Sequence, residues 1–200
     1  MLYLNPYDRF LSETVCLPDR KAVFPMKNVT LIGMPGSGKS TVGVLLAKRL
    51  GYRFVDSDLV IQETEGRLLH ELIASEGTDG FVAIEERVNL SLGTKDDRWV
   101  IATGGSAVYG ERAMAHFREI GTVVYLKLSF GTVRRRLGNF SHRGVVMPEG
   151  YSLRRLYDER CALYERYADV VLDEDIGADG HRKRRTTGQT LDALCRALGV

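Results

Sequence analysis

The stretch GMPGSGKST, residues 33–41, concentrates groups that bind phosphate. Gly33, Gly38, Lys39 and Ser40 fit the spacing G-x-x-x-x-G-K-[ST]. Glycines in such a loop let successive backbone N–H groups turn inward around oxygen atoms. A helix starting directly after them adds partial positive charge at its N-terminus. The Lys39 amine then reaches the β- and γ-phosphates of a nucleoside triphosphate, and the Ser40 hydroxyl suits Mg2+. Gly33, Gly36, Ser37, Gly38, Lys39, Ser40 and Thr41 are the candidate ATP contacts. The loop itself is silent about what receives the phosphate.

FVDSD, residues 54–58, ends an apolar run on two carboxylates, Asp56 and Asp58. In open α/β sheets ligands bind beyond the carboxyl ends of the strands, which aims both acids at the ligand crevice. One suits the water shell of a metal ion. The other suits an acceptor hydroxyl, whose proton a carboxylate takes as the phosphoryl group leaves. The same residues also suit a plainer use, Asp56 capping a turn and Asp58 the next helix. ATGG, residues 102–105, ends a third apolar run. Gly104 and Gly105 let backbone N–H groups approach a ligand closely, or simply make a turn.

Holding these groups together takes alternating strands and helices. NVTLIG is a buried strand, and KSTVGVLLAKRLG is a helix stopped by Gly51. YRFVDSD is a second strand, and RLLHELIASEG and GFVAIEERVNLSLG are two helices. RWVIATGG is a strand, ERAMAHFREIG a helix, TVVYLKL a strand and FGTVRRRLG a helix. NFSHRGVVMPEG, residues 139–150, interrupts this pattern with polar, basic and turn residues and reads as a mobile loop. YSLRRLYDERCALYERYA is a long helix, DVVLD a short strand and GQTLDALCRALG a closing helix. Such alternation implies a parallel sheet with helices on both faces. Residues 1–26, of mixed composition, read as an extension ahead of a single domain at 27–200.

The 200 residues are 44% apolar and 27% charged, as in an ordinary globular domain. A net charge of +2 makes no case for a nucleic-acid or membrane partner. The basic run HRKRR at 181–185 reads as a solvated loop. Cys16, Cys161 and Cys195 are scattered, with no metal spacing and no disulfide framework. No apolar run is long enough to span a membrane, and the N-terminus lacks the pattern of a signal peptide. The expectation is a cytoplasmic monomer acting on a small hydroxylated molecule.

Taken together, GMPGSGKST, VDSD, IEE, TGGSAV, a loop arginine and RCALYERYAD resemble the shikimate kinases in order and spacing, across residues 28–173. The resemblance implies a three-layer α/β/α P-loop kinase fold, with a five-stranded parallel sheet ordered 2-3-1-4-5 and a lid at 139–150. It implies ATP and Mg2+, with Ser40 and Asp56 at the metal. It makes Asp58 the base on the acceptor hydroxyls, beside Glu85, Gly104 and Gly105, and puts Arg160 on the acceptor carboxylate. Arg143 would come from the lid onto the phosphates, joining Lys39 and Asp58 as a catalytic residue, and Arg135 would face adenine.

Two positions depart from that family's pattern, both on the acceptor side. Val82 stands where the family has an arginine, three residues before Glu85 and on the same helix face. Ser106 stands where the family has a third glycine. A hydrogen bond to a charged group contributes roughly 1.5–3 kcal/mol, so losing one arginine should weaken the grip on an acid. Either shikimate is held by a modified clamp, or another polyol or hydroxy acid is the acceptor. Alternatively Val82 packs in the core and Arg87 substitutes for the missing cation. A nucleotide-binding regulator without transferase activity is a further reading.

Overall fold

The first apolar run has no polar face, and the strand it forms, β1 (Asn28–Ile32), is buried at every position, as a strand covered on both sides must be. The glycine loop follows and opens α1 (Lys39–Leu50), which stops on left-handed Gly51. β2 (Arg53–Asp56) runs directly into α2 (Ser57–Glu65), and α3 spans Leu69–Leu90. Next come β3 (Trp99–Ala102), a 3-10 turn at Ala107–Tyr109, α4 (Glu111–Ile120) and β4 (Gly121–Lys127). α5 (Phe130–Leu137), α6 (Leu153–Tyr167), β5 (Val170–Asp173) and α7 (Thr187–Leu198) complete the order. All strand pairs are parallel and the sheet runs β2-β3-β1-β4-β5, the expected order.

This computed structural model describes residues 27–138, 145–175 and 185–200. The expected extension at 1–26, Arg143 with the first half of the lid segment (139–144), and residues 181–184 of the basic run lie outside the described residues.

Side-chain alternation in the strands builds three layers. Leu31 points to one face, where Val42 and Leu46 of α1 and Leu194 of α7 cover it. Ile32 points to the other, against Met114 and Phe117 of α4, Val133 of α5 and Tyr164 of α6. A third, smaller cluster contains no strand residue. It joins Ile61 of α2, Leu72, Phe81 and Val88 of α3, and Val146, which lies within the lid segment.

The two helices expected over residues 67–93 are present within α3, separated by the non-helical backbone of Gly77 (φ 69°, ψ −176°). One element differs from the sequence reading. α2 was not anticipated, because its apolar residues Leu59, Val60 and Ile61 run consecutively instead of at helical spacing. Its start is nevertheless written in the sequence, since Asp56 caps it.

Asn28 ties the entrances of three strands together. Its amide nitrogen donates to the carbonyls of Thr94 (2.6 Å) and Ile120 (3.3 Å), and its oxygen accepts from the N–H of Trp99 (2.9 Å). The side chain is fully buried, so removing it strands backbone groups that water cannot reach. Asn28→Ala should cost about 2–4 kcal/mol in urea unfolding, with KM for ATP unchanged in the folded fraction. A loss below about 1 kcal/mol would show that water replaces the side chain.

Candidate active site

The phosphate-binding loop is held by backbone conformations that only glycine takes readily. Gly33 has φ 145°, and a Cβ there would stand 2.8 Å from the carbonyl oxygen of Leu126. Gly38 is the N-cap of α1 with φ 100°. Lys39, which opens α1, folds back so that its ammonium donates to the carbonyls of Gly33 (2.8 Å) and Met34 (3.2 Å). Burial pulls its pKa down to about 8, against the opposing charges of Asp58 and Asp56. The Ser40 hydroxyl donates to Oδ2 of Asp56 at 2.7 Å.

Asp56 serves two purposes at once. Its Oδ1 accepts from the N–H of Asp58 (3.1 Å) and caps α2, while Oδ2 faces Ser40. Capping and a place in the site are therefore compatible for this residue. Asp58 does not cap; it sits in the first turn of α2. Burial, and then the neighbouring Asp56, push its pKa up to about 6, with Lys39 pulling it back.

Behind Asp58 lies Glu85 of α3, only 1% exposed. Neither of its oxygens makes a well-formed hydrogen bond to a described residue. Burial pushes its pKa up to about 7; the nearby Ser106 hydroxyl is the largest influence opposing that rise. The backbone of Gly104, just past β3, is what both acids crowd against. A Cβ there would lie 2.2 Å from Glu85 Oε1 and 2.8 Å from Asp58 Oδ1. The Gly104 N–H donates to the hydroxyl of Ser57 (3.1 Å), and the Gly105 carbonyl accepts from Tyr164 (2.6 Å).

Arg160 reaches the same place from α6 and is also 1% exposed. Nη2 donates to the carbonyl of Val146 (2.5 Å), and Nε donates weakly to the Tyr109 hydroxyl (3.4 Å). Tyr109 in turn donates to Glu159 (2.7 Å), as does Tyr151 (3.1 Å). The third nitrogen, Nη1, would lie 3.2 Å from a Cβ on Gly105.

One cavity of about 280 Å3 joins these groups. Its near end is Gly36, Gly38, Lys39, Ser40 and Thr41; its far end is Asp58, Gly104, Gly105, Ser106 and Arg160; Leu69, Phe81 and Val146 form an apolar wall between them. Most of the residues expected from sequence therefore meet in one place. Glu85 is next to the cavity, behind Gly104. Gly33 and Ser37 shape the loop without lining that cavity.

Two expectations, for Arg135 and for Arg87, meet a different geometry, while Val82 packs as one of the alternatives had it. Arg135 lies on an open surface with Arg134 and Ser129, bonded weakly to Thr132 (3.4 Å). Its neighbour Arg136 is the one turned to the loop, donating to the Gly36 carbonyl at 2.5 Å. It lines a second hollow of about 310 Å3 with Ser37, Thr41, Glu174 and Arg185. Three consecutive arginines point in three directions around a helix, and sequence alone cannot choose among them. Arg87 does not replace the missing cation, because it is exposed and paired with Glu65 at 2.6 Å. Val82 packs against the third apolar cluster. Sequence reasoning missed Ser57, Tyr109 and Tyr164, which carry no motif and act by holding backbone or guanidinium in place.

A family model described as shikimate kinase matches residues 35–191 of the chain. The shikimate kinase of Thermodesulfovibrio yellowstonii is 36% identical over 152 residues, which is 75% of this chain and 87% of that protein. Shikimate kinase 2 of Yersinia pseudotuberculosis is 41% identical over 152 residues, or 74% and 86% of the two chains. A shikimate kinase from Acinetobacter baumannii, solved in complex with shikimate, has a TM-score of 0.73 at 29% identity, covering 87% of this chain and 94% of that one.

The crowding at Gly104 is directly testable. Gly104→Ala forces Glu85 and Asp58 to move, and misplacement of reacting groups by about 1 Å can cost on the order of 100-fold in rate. Phosphoryl transfer by this variant should fall by about that factor, with its circular dichroism and ATP affinity unchanged. A variant within about threefold of the parent would mean that neither acid needs its present position.

Proposed function

The chain belongs to the shikimate kinase family, and from that premise we propose that it transfers the γ-phosphoryl group of ATP to a hydroxyl of shikimate. The observation that carries this reading is the single cavity with Lys39 and Ser40 at one end and Asp58, Gly104 and Arg160 at the other. A phosphate donor and an acidic, hydroxylated acceptor would meet between them.

ATP binds with its β- and γ-phosphates in the loop, where Lys39 exchanges the carbonyls of Gly33 and Met34 for phosphate oxygens. Ser40 and Asp56 suit Mg2+, since both offer oxygen and the ion takes only one or two protein ligands beside phosphate and water. Among the described residues, no cluster of three or more His, Cys, Asp or Glu side chains offers an alternative metal site. When bound, the ion neutralises charge on the phosphate oxygens. Asp58 accepts the proton of the attacking hydroxyl, and Arg160 holds the acceptor carboxylate. The family resemblance assigns Arg143, in the segment 139–150, the role of a second positive charge at the transferring group. Residues 27–200 act as one catalytic unit, monomeric and cytoplasmic.

Val82 and Ser106 favour, as a second reading, a hydroxy acid other than shikimate. A regulator without transferase activity fits less well, because Lys39, Ser40, Asp56 and Asp58 are all present and grouped.

Coupled ADP release, with shikimate set against other small hydroxy acids and polyols, separates these readings. Shikimate should give the highest kcat/KM. Preference for another acid would move the assignment, and ADP release independent of any acceptor would end the kinase reading. Asp58→Asn should lower kcat by at least about 100-fold with little change in KM for ATP; equal loss of both would shift Asp58 to the metal. The pH profile has a definite sign. Asp58 must be ionised to act as base, and its pKa is about 6, so kcat/KM for the acceptor should rise as pH increases through 6. A flat profile between pH 5 and 7.5 would assign the proton to another group.

A further inference from the structure

Ser106 is a buried residue whose hydroxyl neighbours Glu85 and takes no part in capping. It occupies the N-cap position of the 3-10 turn at Ala107–Tyr109, where a serine side chain ordinarily caps backbone N–H groups, yet it makes no capping bond. Its own backbone (φ −95°, ψ −7°) is open to any residue, so conformation does not require serine either. The residue is 4% exposed and lines the main cavity. It follows Gly105, against which Arg160 Nη1 stands, and its hydroxyl is near Glu85.

We propose that Ser106 is a specificity-determining residue, whose hydroxyl donates to the acceptor carboxylate beside Arg160 Nη1 and forms the second arm of the acid clamp. This inference rests on the reading of the acceptor as a carboxylic acid. Arg160 gives one Nη2 hydrogen to Val146 and directs Nε to Tyr109, so Nη1 is the nitrogen least committed to the protein, and a carboxylate offers two oxygens with about four acceptor sites. Among the described residues, the other charged groups around this end of the cavity are Asp58 and Glu85, both acids, with Lys39 at the phosphate loop. Val82, on the same helix as Glu85, is apolar and turned into the third cluster. An acceptor carboxylate therefore meets one guanidinium edge, and its remaining acceptor sites are open to a neutral donor. Ser106 is the hydroxyl at hand. When Glu85 holds a proton it donates to Ser106 Oγ and leaves the serine hydrogen free for the acceptor, so the two acids do not repel.

Steady-state kinetics of Ser106→Ala and Ser106→Gly, with shikimate and with its analogue carrying –CH2OH in place of the carboxylate, test this. Both variants should raise KM for shikimate by about tenfold or more, with KM for ATP within about twofold of the parent. With the –CH2OH analogue the variants and the parent should differ by less than about twofold. A shikimate KM unchanged in both variants overturns the inference, as does an equal penalty with the two acceptors. So does a matching rise in KM for ATP. Ser106→Thr, which keeps the hydroxyl, should restore the parent KM to within about threefold; if it behaves like alanine, the hydroxyl is not the operative group. Should the parent release no shikimate-dependent ADP, the functional reading fails first, and the same variants are then compared on the acid found in the acceptor screen. If no acid is used at all, the clamp is overturned with it.

Discussion

Everything at the tip of this sheet depends on burying two cations and two acids together. Of the cations Lys39 and Arg160 and the acids Asp58 and Glu85, all but the half-buried Asp58 are withdrawn from water, and they alter the ionisation of their neighbours. An isolated charge in such a place would be driven to neutrality. Here the loss of hydration is met partly by mutual attraction and partly by backbone carbonyls: Gly33 and Met34 for the lysine, Val146 for the arginine. The acids fare worse, Glu85 especially, which explains why their pKa values rise. A carboxylate held near its ionisation point is poor at stabilising a fold and well suited to exchanging a proton.

The scaffold delivers these groups with little choice. Lys39 opens α1, Asp58 opens α2, Gly104 follows β3, and all three strands before them end on the same edge because the sheet is parallel. Glu85 and Arg160 come from helix interiors, α3 and α6, which must bring them in from the sides. The arrangement is therefore rigid where it follows strands and adjustable where it relies on helix packing.

That difference also governs what could be read from sequence. The phosphate loop, the two aspartates and the glycine pair sit at strand ends, where local chain chemistry dictates position, and those residues were legible. Arg136 was not, because choosing one arginine from RRR requires knowing the rotation of α5 against the loop. α2 was hidden because consecutive apolar residues mask its period. Tyr109 and Tyr151 were invisible for a simpler reason: they reach Arg160 and its chain neighbour Glu159 only through tertiary contact. The departure at Val82 was visible, but its resolution was not. The suggestion that Arg87 compensates fails because Arg87 points outward to Glu65.

The break at Gly77 divides α3 into two mechanical parts. Leu69, on the apolar wall of the cavity, belongs to the first; Phe81 and Glu85 belong to the second. A glycine with positive φ, at which an added Cβ would meet nothing within 4 Å, sets the angle between them, and Leu72 of the first part packs with Phe81 and Val88 of the second. A change in the first part therefore alters the space offered to an acceptor ring from one side, while Glu85 is held by its own helix. Chains built this way can diversify in what they accept without relearning how to react.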